Sequence, residues 1–125
     1  MDNARKVLNG IARNVEHLLA IIITDRDGVP MLKSDYPSDV TTRPQFLSVH
    51  GVALEQAAKL GFGEAEYAIF YYNQYQLVLL NYQTVMVTLV ATSDANSGQL
   101  VGLSTELEPL VKQLRSCIGD VVHNA

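Results

Sequence analysis

Two aspartates that follow an apolar segment come closest to a catalytic motif. Residues 20–30 read Ala-Ile-Ile-Ile-Thr-Asp-Arg-Asp-Gly-Val-Pro, so that Asp25 and Asp27 flank a single arginine. In one class of phosphatases the first aspartate of such a pair is the nucleophile and the second is the general acid/base. That chemistry requires a parallel sheet with a crossover helix, together with further metal-binding acids. Because Gly28 leads directly into another apolar segment, we interpret the pair as a hairpin turn and keep the phosphatase as a distant alternative.

The remaining residues of chemical interest do not form a recognisable site. The three histidines, His17, His50 and His123, share no metal-ligand spacing with the single cysteine, Cys117, or with an acidic cluster. Cys117 falls on the apolar stripe of a predicted helix, which favours a buried structural thiol over a reactive one. We therefore expect no enzyme activity, no cofactor and no metal.

Composition narrows the class of protein further. The chain has 125 residues with 48% apolar content, which predicts one domain over residues 1–125. A net charge of −4 gives no electrostatic basis for binding nucleic acid. The single cysteine excludes an internal disulfide and fits a reducing compartment. No apolar run approaches the roughly 18 residues of a membrane span, so we expect no direct membrane insertion and any membrane address must come from a partner.

Hydrophobic periodicity and turn residues predict the elements that would position these residues. Three helices are predicted: over 4–16, over 46–60, and from the cap residues 94–98 onward. Five strands are predicted over 18–24, 29–34, 66–72, 75–81 and 85–92. Residues 35–44 are predicted to form a loop. The last helix contains Pro109, but its leucines keep one phase throughout and Pro109 lies on the outward side, so we predict a continuous helix. The fold class is therefore α+β, a five-stranded antiparallel sheet with helices on both faces, in the order α-β-β-α-β-β-β-α.

Two surfaces are more apolar than such a domain requires. The predicted helix over 46–60 has apolar residues around more than half of its circumference, whereas a helix on one sheet usually has a stripe of just over ~100°. This indicates a second contact, unless loops cover the excess. The strand over 66–72 is predicted at an edge of the sheet, and it contains three tyrosines but no proline or lysine. The other edge, over 29–34, is protected by Pro30 and Lys33. Helix and strand together predict a dimerisation surface that extends the sheet.

Several stretches of the chain resemble one family. The element order resembles the roadblock/dynein-light-chain superfamily, and within it the MAP kinase scaffold subunits of the Ragulator complex. The stretches that carry the resemblance are residues 20–30, 43–48, 59–61, 71–76, 91–98 and 107–110.

The resemblance implies a non-catalytic, roadblock-like adaptor. Its implied partners are a second roadblock-fold subunit in a heterodimer, a lipid-anchored Ragulator subunit, Rag GTPases of the TOR pathway, and a MAP kinase kinase with its MAP kinase. It implies a location on the cytoplasmic face of late endosomes and lysosomes. The implied pairing surface consists of Val49, Val52, Ala53, Gln56, Lys59, Leu60, Phe62, Tyr67, Ile69 and Tyr71. A self-associating roadblock protein that regulates a GTPase or dynein remains the alternative.

Overall fold

The part of the chain that this computed structural model describes, residues 2–34 and 66–124, forms two helices and five strands. In chain order they are α1 (Asp2–Asn14), β1 (Leu18–Asp25), β2 (Pro30–Lys33), β3 (Tyr67–Tyr71), β4 (Tyr75–Asn81), β5 (Val85–Thr92) and α2 (Ser97–Asn124). The predicted α+β class and all five predicted strands are confirmed. The predicted loop over 35–44 and the predicted helix over 46–60 lie outside the described residues.

The five strands form one antiparallel sheet in the order β2-β1-β5-β4-β3. The connections between β3, β4 and β5 are too short to cross the sheet, and they produce an antiparallel meander. β1 and β5 lie in the interior of the sheet, where both faces of a strand are covered, and this explains their continuous apolar sequences. The prediction that β2 and β3 are the edges is therefore confirmed.

Both described helices pack on the same face of the sheet. Leu8 of α1 and Leu100 and Leu107 of α2 are fully buried, and they belong to one core cluster with Ile21 of β1 and Val87 of β5. Each such side chain contributes about 1.5–3 kcal/mol through its burial. The apolar spacing along each helix therefore fixes which of its faces lies on the sheet.

The opposite face of the sheet has a core cluster of its own, formed by Ala20, Ile22, Leu77, Leu79 and Val90. Among the side chains that the structure describes, none from α1 or α2 belongs to this second cluster. The helix over 46–60, which the prediction of helices on both faces requires, lies outside the described residues.

Helix α2 starts at a cap and continues through a proline. The Asn96 side chain accepts a hydrogen bond from the Gln99 amide at 3.1 Å, which selects Asn96 among the predicted cap candidates. Pro109 lies inside the helix and is exposed, as predicted, so its ring meets solvent rather than the core. Neither described helix combines the length and apolar character needed to cross a membrane.

Candidate protein–protein interface at the edge of the sheet

Strand β3 forms an open edge of the described sheet. It pairs with β4 along its whole length, and no strand within residues 2–34 and 66–124 pairs with its other side. An unpaired strand presents a row of N–H and C=O groups that a strand from another chain can bind. The direction of each backbone group therefore decides what this edge offers.

Two hydrogen bonds mark the ends of the pairing between β3 and β4. The Asn81 amide donates to the Glu66 carbonyl at 2.8 Å, and the Tyr72 amide donates to the Tyr75 carbonyl at 2.8 Å. In an antiparallel ladder, pairs of residues that exchange hydrogen bonds alternate with pairs that do not. Since the register has no shift between these two ends, the even-numbered residues from 66 to 72 bond to β4.

The odd-numbered residues of β3 consequently point their backbone groups outward. Ala68 and Phe70 lie in the bonded series, whereas Tyr67, Ile69 and Tyr71 lie between bonded pairs. Each of these three residues offers one N–H and one C=O to the open side. The sequence alone left this register undetermined.

The side chains of β3 alternate between the two faces of the sheet. Tyr67 and Tyr71 are 48% and 67% exposed, and Ile69 packs partly against the core that carries α1 and α2. Ala68 and Phe70 pack against the second cluster on the opposite face. The structure therefore brings three of the predicted pairing residues, Tyr67, Ile69 and Tyr71, together on one face of one edge. The other predicted pairing residues, Val49, Val52, Ala53, Gln56, Lys59, Leu60 and Phe62, lie outside the described residues.

The edge at β2 offers much less to a partner. The Asp25 amide donates to the Val29 carbonyl at 3.1 Å, and the next pair along the ladder joins Thr24 to Pro30. The nitrogen of Pro30 therefore faces the open side, where it has no hydrogen to donate. The register of β2 against β1 shifts between Thr24 and Ile23, and β2 ends at the exposed Lys33.

The aspartates that resemble a phosphatase motif form the turn between β1 and β2. Oδ1 of Asp25 accepts hydrogen bonds from the Asp27 and Val29 amides, both at 2.9 Å. The Gly28 amide donates to the Asp25 carbonyl at 3.2 Å, and Gly28 adopts a φ of 87°, which glycine tolerates without a steric penalty. The predicted turn is confirmed, and the carboxylate of Asp25 stabilises it.

His17 is the histidine whose side chain the structure describes, and it does not belong to a metal site among the described residues. The His17 imidazole lies 3.6 Å from the Glu16 carboxylate, in an exposed pair. Among the side chains that are described, no three histidines, cysteines or acids lie close enough together to bind a metal ion. His50 lies outside the described residues, and His123 and Cys117 lie in the part of α2 whose side chains are not described.

A cleft of about 630 Å³ separates the start of β3 from α2. Among the residues that line it, the Tyr82 hydroxyl donates to the Ser104 carbonyl at 2.8 Å, and the Arg115 guanidinium donates to the Tyr82 carbonyl at 2.6 Å. Burial, together with a smaller effect of the nearby Glu108 carboxylate, raises the pKa of Tyr82 to about 12. The phenol therefore stays protonated at neutral pH, and it fixes the turn after β4 to α2.

The other end of β3 is joined to α2 by side chains that the sequence pattern did not predict. The Tyr71 and Ser97 hydroxyls are 2.8 Å apart, and the Ser97 hydroxyl donates to Gln76 Oε1 at 2.9 Å. Gln76 is fully buried. A polar residue at an inward-facing position of an apolar strand was the available signal, because buried amides need hydrogen-bond partners.

Comparison with known proteins reveals relatives along nearly the whole chain. The model of a family described as mitogen-activated protein kinase kinase 1 interacting matches residues 2–118. The Ragulator complex protein LAMTOR3 of Homo sapiens is 40% identical over 119 residues, which cover 94% of this chain and 96% of the relative. The protein of the same name from Pagrus major is 39% identical over the same lengths.

Solved structures of more distant proteins share the fold. A roadblock/LC7 domain from Streptomyces avermitilis superposes with a TM-score of 0.67 at 16% identity, covering 91% of this chain and 96% of that one. MglB of Myxococcus xanthus superposes with a TM-score of 0.69 at 15% identity, covering 94% and 96%. At such low identity the similarity extends to the fold alone, and it confirms the predicted roadblock-like architecture.

Proposed function

Because the chain belongs to the mitogen-activated protein kinase kinase 1 interacting family, we propose that it is a non-catalytic scaffold subunit that pairs with a second roadblock-fold protein. Pairing occurs along the open edge of β3 and extends the sheet of one subunit into the other. The observation that carries this proposal is the outward direction of the backbone groups of Tyr67, Ile69 and Tyr71.

The chemistry of this edge favours a protein strand as its ligand. Backbone N–H and C=O groups that alternate along an extended strand are complementary to another extended strand. Tyr67 and Tyr71 flank these groups with large exposed side chains on one face, and aromatic cross-strand pairs stabilise sheets. We include the surface predicted on residues 49–62 in the same interface.

The family and the curated relatives support membership of a larger assembly. We propose that the pair is held by a lipid-anchored Ragulator subunit on the cytoplasmic face of late endosomes and lysosomes. There it would present a surface to Rag GTPases for TOR signalling, and it would bring a MAP kinase kinase close to its MAP kinase. The protein would reach the membrane through its partner, since a lipid anchor on another subunit supplies the affinity.

Self-association at the same edge is the second candidate, and the outward backbone groups of β3 are compatible with it. The three outward-facing residues are symmetric about Ile69, so a two-fold axis there would place Tyr67 of one copy opposite Tyr71 of the other. Such a homodimer would be a roadblock-type regulator of a GTPase or dynein.

One experiment separates these candidates. The tagged chain is purified from cells, co-purifying proteins are identified, and the mass of the purified chain alone is measured by light scattering. Recovery of a roadblock-fold partner in a one-to-one complex, with a monomeric chain in isolation, supports the scaffold subunit. A dimer in isolation with no roadblock-fold partner supports self-association. A monomer that recovers no roadblock-fold protein contradicts both candidates.

A further inference from the structure

We propose that the Tyr71 hydroxyl is a positioning group, which holds the open edge of β3 in the conformation that a partner strand requires. It does so by joining the end of β3 to the start of α2 through Ser97 and the buried Gln76. This inference rests on the proposed function, because pairing at the edge of β3 is the property that the hydroxyl would control.

The hydrogen bonds of this network can run in one direction only. Gln76 Nε2 faces the carbonyls of Thr92 at 3.2 Å and Ala95 at 2.8 Å, and carbonyls only accept hydrogen bonds. Gln76 Oε1 therefore accepts the single hydroxyl proton of Ser97. Since the proton of Ser97 is engaged, Tyr71 must be the donor in its contact with Ser97.

The network has a fixed end and an exposed end. Gln76 is fully buried, and it is bound to the segment that connects β5 to α2. Asn96 caps the helix, so the hydroxyl of Ser97 is not needed for capping and can take part in the network. Tyr71 is 67% exposed and is the last residue of β3. The buried end thus restrains the residue whose backbone faces the open side.

Position in the sheet explains why this restraint affects pairing. α2 packs mainly over β4 and β5, so β3 lies toward the margin of the surface that the helix covers. A strand that is bonded on one side loses conformational freedom when a second strand binds it, and this loss weakens binding. A side-chain bond that orders the end of β3 beforehand reduces the loss. Tyr71 therefore contributes to affinity through the conformation of its own strand.

Two conservative variants isolate the hydroxyl. Tyr71→Phe removes the donor at the exposed end and leaves the bond from Ser97 to Gln76 in place. Tyr67→Phe is the matched control, because Tyr67 lies on the same face of β3 with the same outward backbone, and its hydroxyl has no hydrogen bond to a described residue. Both variants keep the ring and the backbone.

Hydrogen exchange of the isolated chain tests the conformational step. The amides of Phe70 and Tyr72 bond to β4, so their exchange rates, measured by NMR, report local opening of β3. We expect about two- to tenfold faster exchange in Tyr71→Phe, the range of one net hydrogen bond. Tyr67→Phe should exchange like the wild type. Equal rates in all three proteins would overturn the inference.

Affinity for the roadblock-fold partner recovered with the wild type tests the functional step. Tyr71→Phe should weaken pairing by about two- to tenfold, and Tyr67→Phe should weaken it less. In a Ser97→Ala background Tyr71→Phe should have no further effect, because the network is already broken.

If Tyr71→Phe still weakened pairing by the same factor in the Ser97→Ala variant, the hydroxyl would contact the partner directly. That result would overturn the inference. A wild type that pairs with no roadblock-fold protein contradicts the proposed function instead. The exchange rates would then still decide whether the hydroxyl orders the end of β3.

Discussion

The two edges of the sheet, at β2 and at β3, differ in whether their backbone groups are protected from pairing with another strand. β2 has four residues, a proline whose nitrogen faces outward, a register shift and an exposed lysine. β3 has five residues in unbroken register and three outward-facing residues that can all donate and accept. Edge strands without protection associate with other chains. Within the described residues one edge is protected and the other is open, so the sheet has a defined direction in which it can be extended.

The comparison also separates two kinds of side chain at an edge. Lys33 at the end of β2 places a charge where a partner strand would have to remove water from it. Tyr67 and Tyr71 on β3 place aromatic rings there, which gain from being covered. The exposed side chain at β2 therefore disfavours a partner strand, whereas the exposed side chains at β3 favour one.

The largest expected effect follows from breaking the inner side of β3. Phe70→Pro removes an N–H that bonds to β4, and it should lower the free energy of unfolding by on the order of 3 kcal/mol. Urea unfolding followed by circular dichroism measures the change. A variant as stable as the wild type would show that the assigned register is wrong.

The neighbouring substitution should affect the open side instead. Ile69→Pro removes an N–H that faces outward, so the domain should keep its native circular dichroism while losing its roadblock-fold partner in co-purification. Proline fixes φ near roughly −65°, so some stability is lost as well. Ile69→Val is the control that keeps the N–H, and it should still pair. Normal pairing by Ile69→Pro would exclude sheet extension at this edge.

Removing the protection of β2 tests the other half of the comparison. The double variant Pro30→Val, Lys33→Val restores an outward donor and deletes the charge, so the chain should self-associate at concentrations where the wild type keeps its mass. Light scattering across a dilution series measures this. The double variant Val29→Thr, Met31→Thr changes two neighbouring residues and keeps both protections, so its mass should match the wild type. Unchanged mass for the Pro30, Lys33 variant would mean that other features protect β2.

The smallest effect is expected in the turn that attaches β2. Asp25→Ala removes the acceptor of two backbone hydrogen bonds and should cost about 1–2 kcal/mol. Asp27→Ala removes a side chain that accepts neither bond, and it should stay within about 0.5 kcal/mol of the wild type. Thermal unfolding of the two variants gives the difference.

The same pair of aspartates permits a direct test of catalysis. The wild type, assayed on a generic phosphate ester with magnesium, should show no turnover that depends on them. Turnover that disappears in the double variant Asp25→Asn, Asp27→Asn would contradict the assignment of these residues to a turn.

Much of the fold could be predicted from residues whose effects are local. The aspartates and Gly28 predicted the turn because an Asp side chain binds amides a few residues along the chain. The leucine phase predicted that α2 continues through Pro109, since one residue per 100° decides which side chains meet the sheet. The continuous apolar segments predicted which strands are interior.

The candidate site was predicted less completely. The position of β3 at an edge was predicted because the most continuously apolar strands, β1 and β5, were assigned to the interior, and the sheet order confirms it. Gln76 and Ser97 were missed because their contact joins residues 21 positions apart in the sequence. Nothing in the local pattern around either residue indicates the other.

By itself the sequence determined the class of each element, the turn at Asp25 and the unprotected character of β3, because periodicity and turn chemistry act over a few residues. Only the tertiary structure decided that Tyr67, Ile69 and Tyr71 direct their backbones outward and that Tyr71 is bound to α2. The direction of a backbone group depends on which strand pairs with it and in what register. Register in turn is set by contacts between residues far apart in the chain, where burial of one face excludes every shifted alternative.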